Sequence, residues 1–342
     1  MSASDAAVVG IDLPALQRYF ERHVPQCAGP LRIEPLHGGR SNLTYRVSDG
    51  THQWVLRRPP LGVLTPTAHD MHREYRVVAA LAGTGVPVAE AVLSCRDPAV
   101  IGAPFCVVAF VEGTVLRDGD EAAALPHTDA RHAAEALVDA LVALHSVDAA
   151  AIGLGDFGRP DGYLERQVRR WRGQWDKVAT RALPDLDALH TRLARALPAS
   201  GAPAIVHGDY RLDNTLLAPG DFGRIAAIVD WEMATLGDPL ADLGMLLMYW
   251  DPACEPVLGA RHVPTANPGF LSGPELAERY AAASGRDITC LPYYQALACF
   301  KLAVIAEGIH ARFLAGQTVG TGFEHVGSAV PALLRSGLRL LP

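Results

Sequence analysis

The stretch His207-Gly208-Asp209-Tyr210-Arg211-Leu212-Asp213-Asn214, followed by the apolar run Ile225 to Val229 and then Asp230, constrains this chain more than any other part of it. Asp209 and Asn214 share one short polar loop. Asp230 closes a run with strand character, and Pro219-Gly220-Asp221 is a turn signal between the two segments. A hairpin across that turn would return Asp230 toward the loop. A carboxylate placed beside a hydroxyl can take up its proton, while an amide oxygen and a second carboxylate are hard ligands of the kind magnesium takes. Moving the terminal phosphoryl group of a nucleotide requires that set. Asp209, Asn214 and Asp230 supply it, and His207 is expected to hold the loop rather than to move protons.

Composition narrows the classes. The chain of 342 residues is long enough for two lobes with substantial cores, and its net charge of -7 argues against a nucleic-acid binder, which normally carries a basic excess. The six cysteines are dispersed, without a CxxC pair or zinc-type spacing, as expected of idle thiols in a reducing compartment. The start of the chain lacks a basic segment followed by an apolar core, and no run approaches the roughly 18 apolar residues of a membrane span. The expectation is a cytoplasmic protein that binds neither membrane nor nucleic acid.

Along the chain the pattern changes once. Leu36 to Val47 reads as two strands around a glycine-bearing turn at Gly38-Gly39, followed by Ser41 and Asn42, and Gln53 to Arg57 reads as a third strand. Glycines let backbone amides approach phosphate groups, which a nucleotide-covering loop requires. His69 to Leu81 has helical character. The apolar run Pro104 to Val111 ends at Glu112-Gly113, and from there the spacing is mostly helical. Thr128 or Asp129 can cap a helix with the stripe Ala133, Leu137, Leu141 and Leu144. Leu164, Val168, Trp171 and Trp175 form a second stripe, Leu186, Leu189, Leu193 and Leu197 a third, and Tyr293 to Leu314 a long apolar helix. These stripes are read as core. The fold class is therefore α+β, with a β-rich N-terminal lobe over residues 1–112 and a larger helical lobe over 113–342.

The order HGDxxxxN and then a strand ending in Asp resembles the aminoglycoside phosphotransferase-like (choline kinase-like) branch of the bilobal protein-kinase fold. That resemblance implies Asp209 as the catalytic base, Asn214 and Asp230 as the holders of Mg2+, and ATP or GTP as co-substrate. In that family a basic residue on the third strand grips the nucleotide phosphates and a helix glutamate pairs with it. Strand alternation puts Val55 and Arg57 on one face, which makes Arg57 the candidate, Arg58 the fallback and Glu74 the partner. Arginine stands where lysine is usual. It keeps the charge but offers a planar fork. Backbone groups from Val108 to Phe110 would read the base edge, and ATP is favoured over GTP. In the GDPxxDL pattern, here Gly237 to Leu243, Asp238 and Asp242 are expected to bond loops rather than metal.

Only Trp231 to Leu236 separates Asp230 from Gly237-Asp238-Pro239. A peptide-docking segment has no room there, so the acceptor is expected to be the hydroxyl of a small molecule. SNLTYRV, LRRPP, LERQVRRW, HGDYRLDN, DWEMATLGDPLADLG and FKLAVIAEGIHARFLAGQ together resemble the kinase-like domain that some acyl-CoA dehydrogenases carry fused at their N-terminus. With nothing after Pro342, this would be the stand-alone form. The resemblance implies phosphorylation of a hydroxyacyl-CoA and a functional link to acyl-CoA dehydrogenases. Arg166, Arg169, Arg170 and Arg172 form either a site for CoA phosphates or a solvated helix face. The alternatives are an aminoglycoside or amino-alcohol kinase, for which Asp118, Asp120 and Glu121 make too sparse an acidic pocket, and a non-catalytic nucleotide-binding scaffold.

Overall fold

A computed structural model describes residues 9–36, 42–61, 69–117, 119–258, 263–317 and 322–341. The chain forms two compact units, one of Met1–Glu112 with Ala227–Glu232 and the other of Gly113–Ala226 with Met233–Pro342.

The first unit contains helix α1 (Leu13–His23), strands β1 (Arg32–Pro35), β2 (Leu43–Ser48) and β3 (Gln53–Arg58), helix α2 (Met71–Leu81) and strands β4 (Ala91–Cys95) and β5 (Phe105–Ala109). The strands make one antiparallel sheet in the order β1-β2-β3-β5-β4. Strand β1 lies upstream of the expected position, because the Arg32-Ile33-Glu34-Pro35 run pairs with Tyr45 to Ser48 while Leu36 still donates its amide to the Thr44 carbonyl. Register brings Tyr45 opposite Leu56 and Val47 opposite Trp54, so one face of β2 and β3 is apolar. Leu16 and Phe20 of α1 close over that face, packed with Trp54, Leu56, Phe105 and Val107. Each fully buried side chain of this size contributes about 1.5–3 kcal/mol. The alternation that buries Trp54, Leu56 and Arg58 turns Gln53, Val55 and Arg57 to the other face of the sheet.

Helix α2 starts where Asp70 accepts the Arg73 amide at 3.0 Å, and its buried side includes Met71, Glu74, Val77, Val78 and Leu81. A carboxylate on a buried helix face needs a partner, and β3 supplies it.

The second unit comprises α3 (Gly119–Ala123), α4 (His127–His145), α5 (Tyr163–Val178), α6 (Pro184–Arg195), β6 (Ala204–Val206), β7 (Thr215–Ala218), β8 (Asp221–Ile228), β9 (Thr235–Gly237), α7 (Leu240–Tyr249), α8 (Glu255–Leu258), α9 (Gly273–Ser284), α10 (Leu291–Leu314) and α11 (Val326–Leu340). The last residues of β8 belong to the first unit. Helix α4 begins at His127 after Pro126, with no side-chain cap, so Thr128 and Asp129 lie inside its first turn and do not cap it. Proline holds the backbone angle that helix entry needs, and the Asp129 charge still suits the positive end of the helix. Helix α6 stops at Arg195, which leaves the expected stripe residue Leu197 outside the helix and 39% exposed. Helix α10 is buried around most of its circumference, as a central core helix must be. Strands β7 and β8 form the hairpin anticipated at Pro219-Gly220-Asp221, with Gly220 at φ +71°. Strands β6 and β9 pair antiparallel, and the polar loop leaves the end of β6. The β-rich and helical parts agree with the fold class read from the sequence.

Candidate active site

In the first unit the functional candidates gather around Arg57. Its Nη2 donates to Asp230 Oδ1 at 2.8 Å, and its Nη1 pairs with Glu74 Oε1. The Arg57 side chain is 15% exposed and that of Glu74 5%. Burial opposes the guanidinium charge, but Glu74 and Asp230 outweigh it and hold Arg57 above its ordinary range. Burial pushes the Glu74 carboxyl up to about 7, against the attraction of Arg57 and with the repulsion of Asp230 and Glu232 added. Arg57 Nε and Glu74 Oε2 are buried without a hydrogen-bond partner. An orphaned donor next to two carboxylates is where a phosphate oxygen would fit.

Asp230 itself stands at φ +66°. A non-glycine residue in that region is strained, and here the bond to Arg57 holds it. Arg58 points the other way into the unit, 4% exposed, and donates to the carbonyls of Gly10, Pro59 and Ile101. Its charge is spent on the fold.

Gly38, Gly39 and Ser41 lie outside the described residues. Asn42 is described, and it is committed elsewhere than expected: it is 5% exposed, its Nδ2 donates to Glu232 Oε2 at 3.1 Å, and its Oδ1 lies 2.7 Å from His69 Nδ1. Burial makes both ends of the amide seek protein partners, so its side chain ties three segments of the unit together rather than facing phosphate. In the expected base-reading segment two backbone amides are already engaged. The amide of Ala109 donates to the Glu90 carbonyl and that of Phe110 to the Gln53 carbonyl, while Val108 is paired with Val55 in the sheet. Sheet pairing therefore consumes the donors of Ala109 and Phe110.

In the second unit the polar loop follows β6. Gly208 has φ +84°, and a Cβ there would lie 2.7 Å from the Met233 carbonyl, which only glycine avoids. The buried carboxylate of Asp242 accepts the amides of His207 at 2.6 Å and Gly208 at 2.8 Å, and lies 3.2 Å from His145 Nε2. Tyr280 extends this chain of contacts with its hydroxyl 2.8 Å from His145 Nδ1. Burial would push the Asp242 carboxyl up, but these contacts hold it below its ordinary value. Asp238 accepts the Leu240 amide at 3.1 Å and the Tyr294 hydroxyl at 2.7 Å. Both aspartates bond loops and helix starts. His207 is fully buried, with its Nδ1 3.3 Å from the Asp209 amide.

Asp209 and Asn214 meet within this loop. Asn214 Nδ2 donates to the Asp209 carbonyl at 2.9 Å and to Asp209 Oδ2 at 3.2 Å, which leaves the amide oxygen of Asn214 as its remaining acceptor. Tyr249, the last residue of α7, donates its hydroxyl to Asp209 Oδ1 at 2.7 Å. Arg211 Nε is 3.5 Å from Asp209 Oδ2 and 2.9 Å from Asp213 Oδ1, and its guanidinium lies 5.0 Å over the Tyr249 ring. Lys301 of α10 donates to the Gly208 carbonyl and sits 5.5 Å over the Trp171 ring. Burial would push the Asp209 carboxyl up. Arg211 and Lys301, with the Tyr249 hydroxyl and His207, more than offset it and leave the group below its ordinary value. These contacts favour the ionised form of the carboxylate.

Two oxygens suit a hard cation: the amide oxygen of Asn214 and the Asp230 oxygen not engaged by Arg57. Among the described residues no three His, Cys, Asp or Glu side chains cluster to hold a metal on their own. The Asn214 and Asp230 oxygens, one in each unit, are of the hard type that magnesium takes.

Tyr249 and Lys301 are absent from the sequence reading. Lys301 sits in the helix Tyr293 to Leu314, which reads as core, and Tyr249 in an apolar run with no assigned role. The signal available was a lone lysine in Ala296 to Ala306 and a lone tyrosine hydroxyl at the end of Leu246-Leu247-Met248. The arginines of α5 are mostly spent locally: Arg166 on the carbonyls of Arg159 and Asp161, Arg169 on Glu165, and Arg172 on Asp176 and Asp187, while Arg170 lies over the Trp171 ring. All six cysteines are free, with Cys290 exposed. No helix among the described residues is long and apolar enough to cross a membrane.

Residues 32–297 match the model of the phosphotransferase enzyme family. The chain is 37% identical to "Acyl-CoA dehydrogenase family member 11" of Gallus gallus, an alignment covering 96% of this chain and 43% of that protein. It is 33% identical to "Probable acyl-CoA dehydrogenase IBR3" of Arabidopsis thaliana, covering 96% and 42%. The chain thus spans less than half the length of these curated relatives. Among solved structures, a "putative aminoglycoside phosphotransferase" of Ralstonia eutropha JMP134 superposes with a TM-score of 0.84 at 33% identity, covering 97% of this chain and 98% of that one. A thermostable mutant of aminoglycoside phosphotransferase APH(4)-Ia, solved with AMP-PNP and hygromycin B, shares the fold at 17% identity and a TM-score of 0.61, covering 94% and 99%.

Proposed function

We propose that this chain, which belongs to the phosphotransferase enzyme family, transfers the terminal phosphoryl group of ATP to the hydroxyl of a hydroxyacyl-CoA. That it is a phosphotransferase acting on a small molecule follows from the family. ATP, magnesium, the acceptor and the role of each residue are this proposal. The observation that carries it is Asp209: an ionised carboxylate, 22% exposed, held on one oxygen by Tyr249 and on the other by Asn214.

The acceptor hydroxyl hydrogen-bonds to Asp209, which accepts its proton as the oxygen attacks the terminal phosphorus. The bond from that phosphorus to the bridging oxygen breaks, giving ADP and a phosphate ester. Asn214 and Asp230 would hold magnesium, which supplies neutralisation of phosphate charge when bound. Arg57 binds the nucleotide phosphates, with its Nε the donor still to be satisfied and Glu74 fixing the fork. With the amides of Ala109 and Phe110 committed to the sheet, hydrogen bonding to the base falls to the carbonyl of Phe110 and the backbone groups that follow it. The acceptor class is supported by relatives along 96% of the chain that bear acyl-CoA dehydrogenase names. It also implies a functional link to such dehydrogenases. Arg169 and Arg170, the more exposed of the α5 arginines, are the candidates for the distant CoA phosphates.

A transfer assay with ATP or GTP against hydroxyacyl-CoAs, choline and kanamycin tests the reading. Turnover of a hydroxyacyl-CoA above the other two is expected, with an apparent KM that rises with salt as phosphate contacts are screened. Turnover of kanamycin with none of any acyl-CoA contradicts the acceptor class.

A further inference from the structure

Asp209 receives a hydrogen bond from outside its own loop whose donor has no step of its own in the proposed mechanism. Tyr249 ends α7, is 7% exposed, and its Oη lies 2.7 Å from Asp209 Oδ1. The groups around this contact come from several elements: Arg211 and Asp213 of the loop, Lys301 of α10 behind Gly208, His207 before it, Asp242 of α7 and Asn214 on the other carboxylate oxygen. Arg211 lies over the Tyr249 ring, so the ring has a cation on its face and its hydroxyl aimed at the carboxylate.

A carboxylate oxygen has room for two donors in its plane. One place on Oδ1 is taken by Tyr249, and Oδ2 carries Asn214 with Arg211 nearby. The carboxylate plane is therefore held from both ends, and Oδ1 retains capacity for a second donor. A buried tyrosine needs a partner for its hydroxyl in any case: Tyr210 donates to the Leu137 carbonyl at 2.7 Å, Tyr293 to that of Leu193 at 3.2 Å and Tyr294 to the Asp238 carboxylate at 2.7 Å. Of these four, Tyr249 is the one whose hydroxyl goes to the Asp209 carboxylate.

We propose that Tyr249 is a positioning residue for phosphoryl transfer: its hydroxyl fixes the plane of the Asp209 carboxylate so that one oxygen lone pair faces the incoming acceptor hydroxyl. The inference rests on the reading of Asp209 as the base. Orientation within a few tenths of an ångström is what separates a productive from an unproductive general base, so the effect belongs to the chemical step and not to nucleotide binding.

The test uses the full chain, MgATP, and two acceptors, 3-hydroxybutyryl-CoA and water, the second read as slow ADP release. Tyr249→Phe removes the hydroxyl alone. The expected result is a fall in kcat of roughly tenfold, the size of one hydrogen bond to a charged group, with the KM for ATP unchanged. Tyr293→Phe, which also removes a buried hydroxyl, should leave kcat unchanged and so controls for general loss of stability. In an Asp209→Asn background, already slow, Tyr249→Phe should cost nothing further, because the group it positions is gone. A Tyr249→Phe enzyme with unchanged kcat, or one whose cost persists in full beside Asp209→Asn, overturns the inference. Asp209→Asn with normal turnover would instead overturn the reading of Asp209 and is seen in the same experiment.

Discussion

Arg57 joins two carboxylates that are far apart in sequence: its Nη2 lies 2.8 Å from Asp230 Oδ1, and its Nη1 pairs with Glu74 of α2. A planar fork can span both at once, whereas an ammonium is a single point of charge. Arg57→Lys should therefore preserve the charge but lose one of the two links, and Arg57→Met should lose both. Titration calorimetry with MgATP is expected to give a Kd raised roughly tenfold for lysine and more for methionine, in line with about 1.5–3 kcal/mol per charge-assisted bond. Equal affinity in all three proteins would remove Arg57 from the phosphate site.

Glu74 gives this unit a pH dependence. Its carboxyl is pushed up to about 7 from an ordinary 4.5, chiefly by burial. Between those values the folded state holds the proton that the unfolded state releases, so this group's contribution to stability is fullest below about 4.5 and is lost as pH rises through about 7. Glu74→Gln cannot titrate. Thermal melts from pH 5 to 8 should show the parent protein losing stability relative to Glu74→Gln as pH rises, and parallel curves would contradict the assignment.

Removal of the metal should separate Asp230 from Asp209. If Asn214 and Asp230 are the side-chain ligands, as proposed, they fill only part of a magnesium shell and phosphate must complete it, so ATP affinity should depend on magnesium in the parent protein. In Asp230→Ala that dependence should largely disappear, together with transfer. Calorimetric affinity that is the same with and without magnesium in the parent would sink the metal assignment.

Gly208 offers a test of the loop's backbone. Alanine there meets the Met233 carbonyl at 2.7 Å in addition to the left-handed φ of +84°, whereas alanine at Gly220, with φ +71°, meets nothing within 4 Å. The dihedral term of about 1–2 kcal/mol is common to both, so Gly220→Ala should lower the melting temperature modestly and leave kcat alone. Gly208→Ala should lower it further and reduce kcat by at least about tenfold through the displaced Asp209. Identical melting temperatures for the two variants would contradict the close approach.

The local parts of this arrangement were legible in the sequence. Asp209 and Asn214 lie on one short loop, so spacing alone brings them together, and the parity of β3 separates Arg57 from Arg58 because side chains alternate across a strand. Asn42 was legible only as a member of a loop. Its burial against Glu232, 190 positions away, depends on tertiary packing that no local pattern encodes. Tyr249 and Lys301 stayed hidden for a related reason: each is one polar atom on an otherwise apolar helix, and helical periodicity registers the apolar stem rather than the tip. Pro126 displaced the expected cap of α4 because a proline at a helix entry substitutes backbone geometry for a side-chain bond.

The most direct test of the central claim is single-turnover transfer of labelled terminal phosphate from ATP to 3-hydroxybutyryl-CoA by the parent chain and by Asp209→Asn, each first shown by calorimetry to bind MgATP. Label on the acyl-CoA is expected with the parent, and a rate lowered by roughly 10² or more in Asp209→Asn with nucleotide affinity retained. An Asp209→Asn chain that transfers label at the parent rate would contradict it.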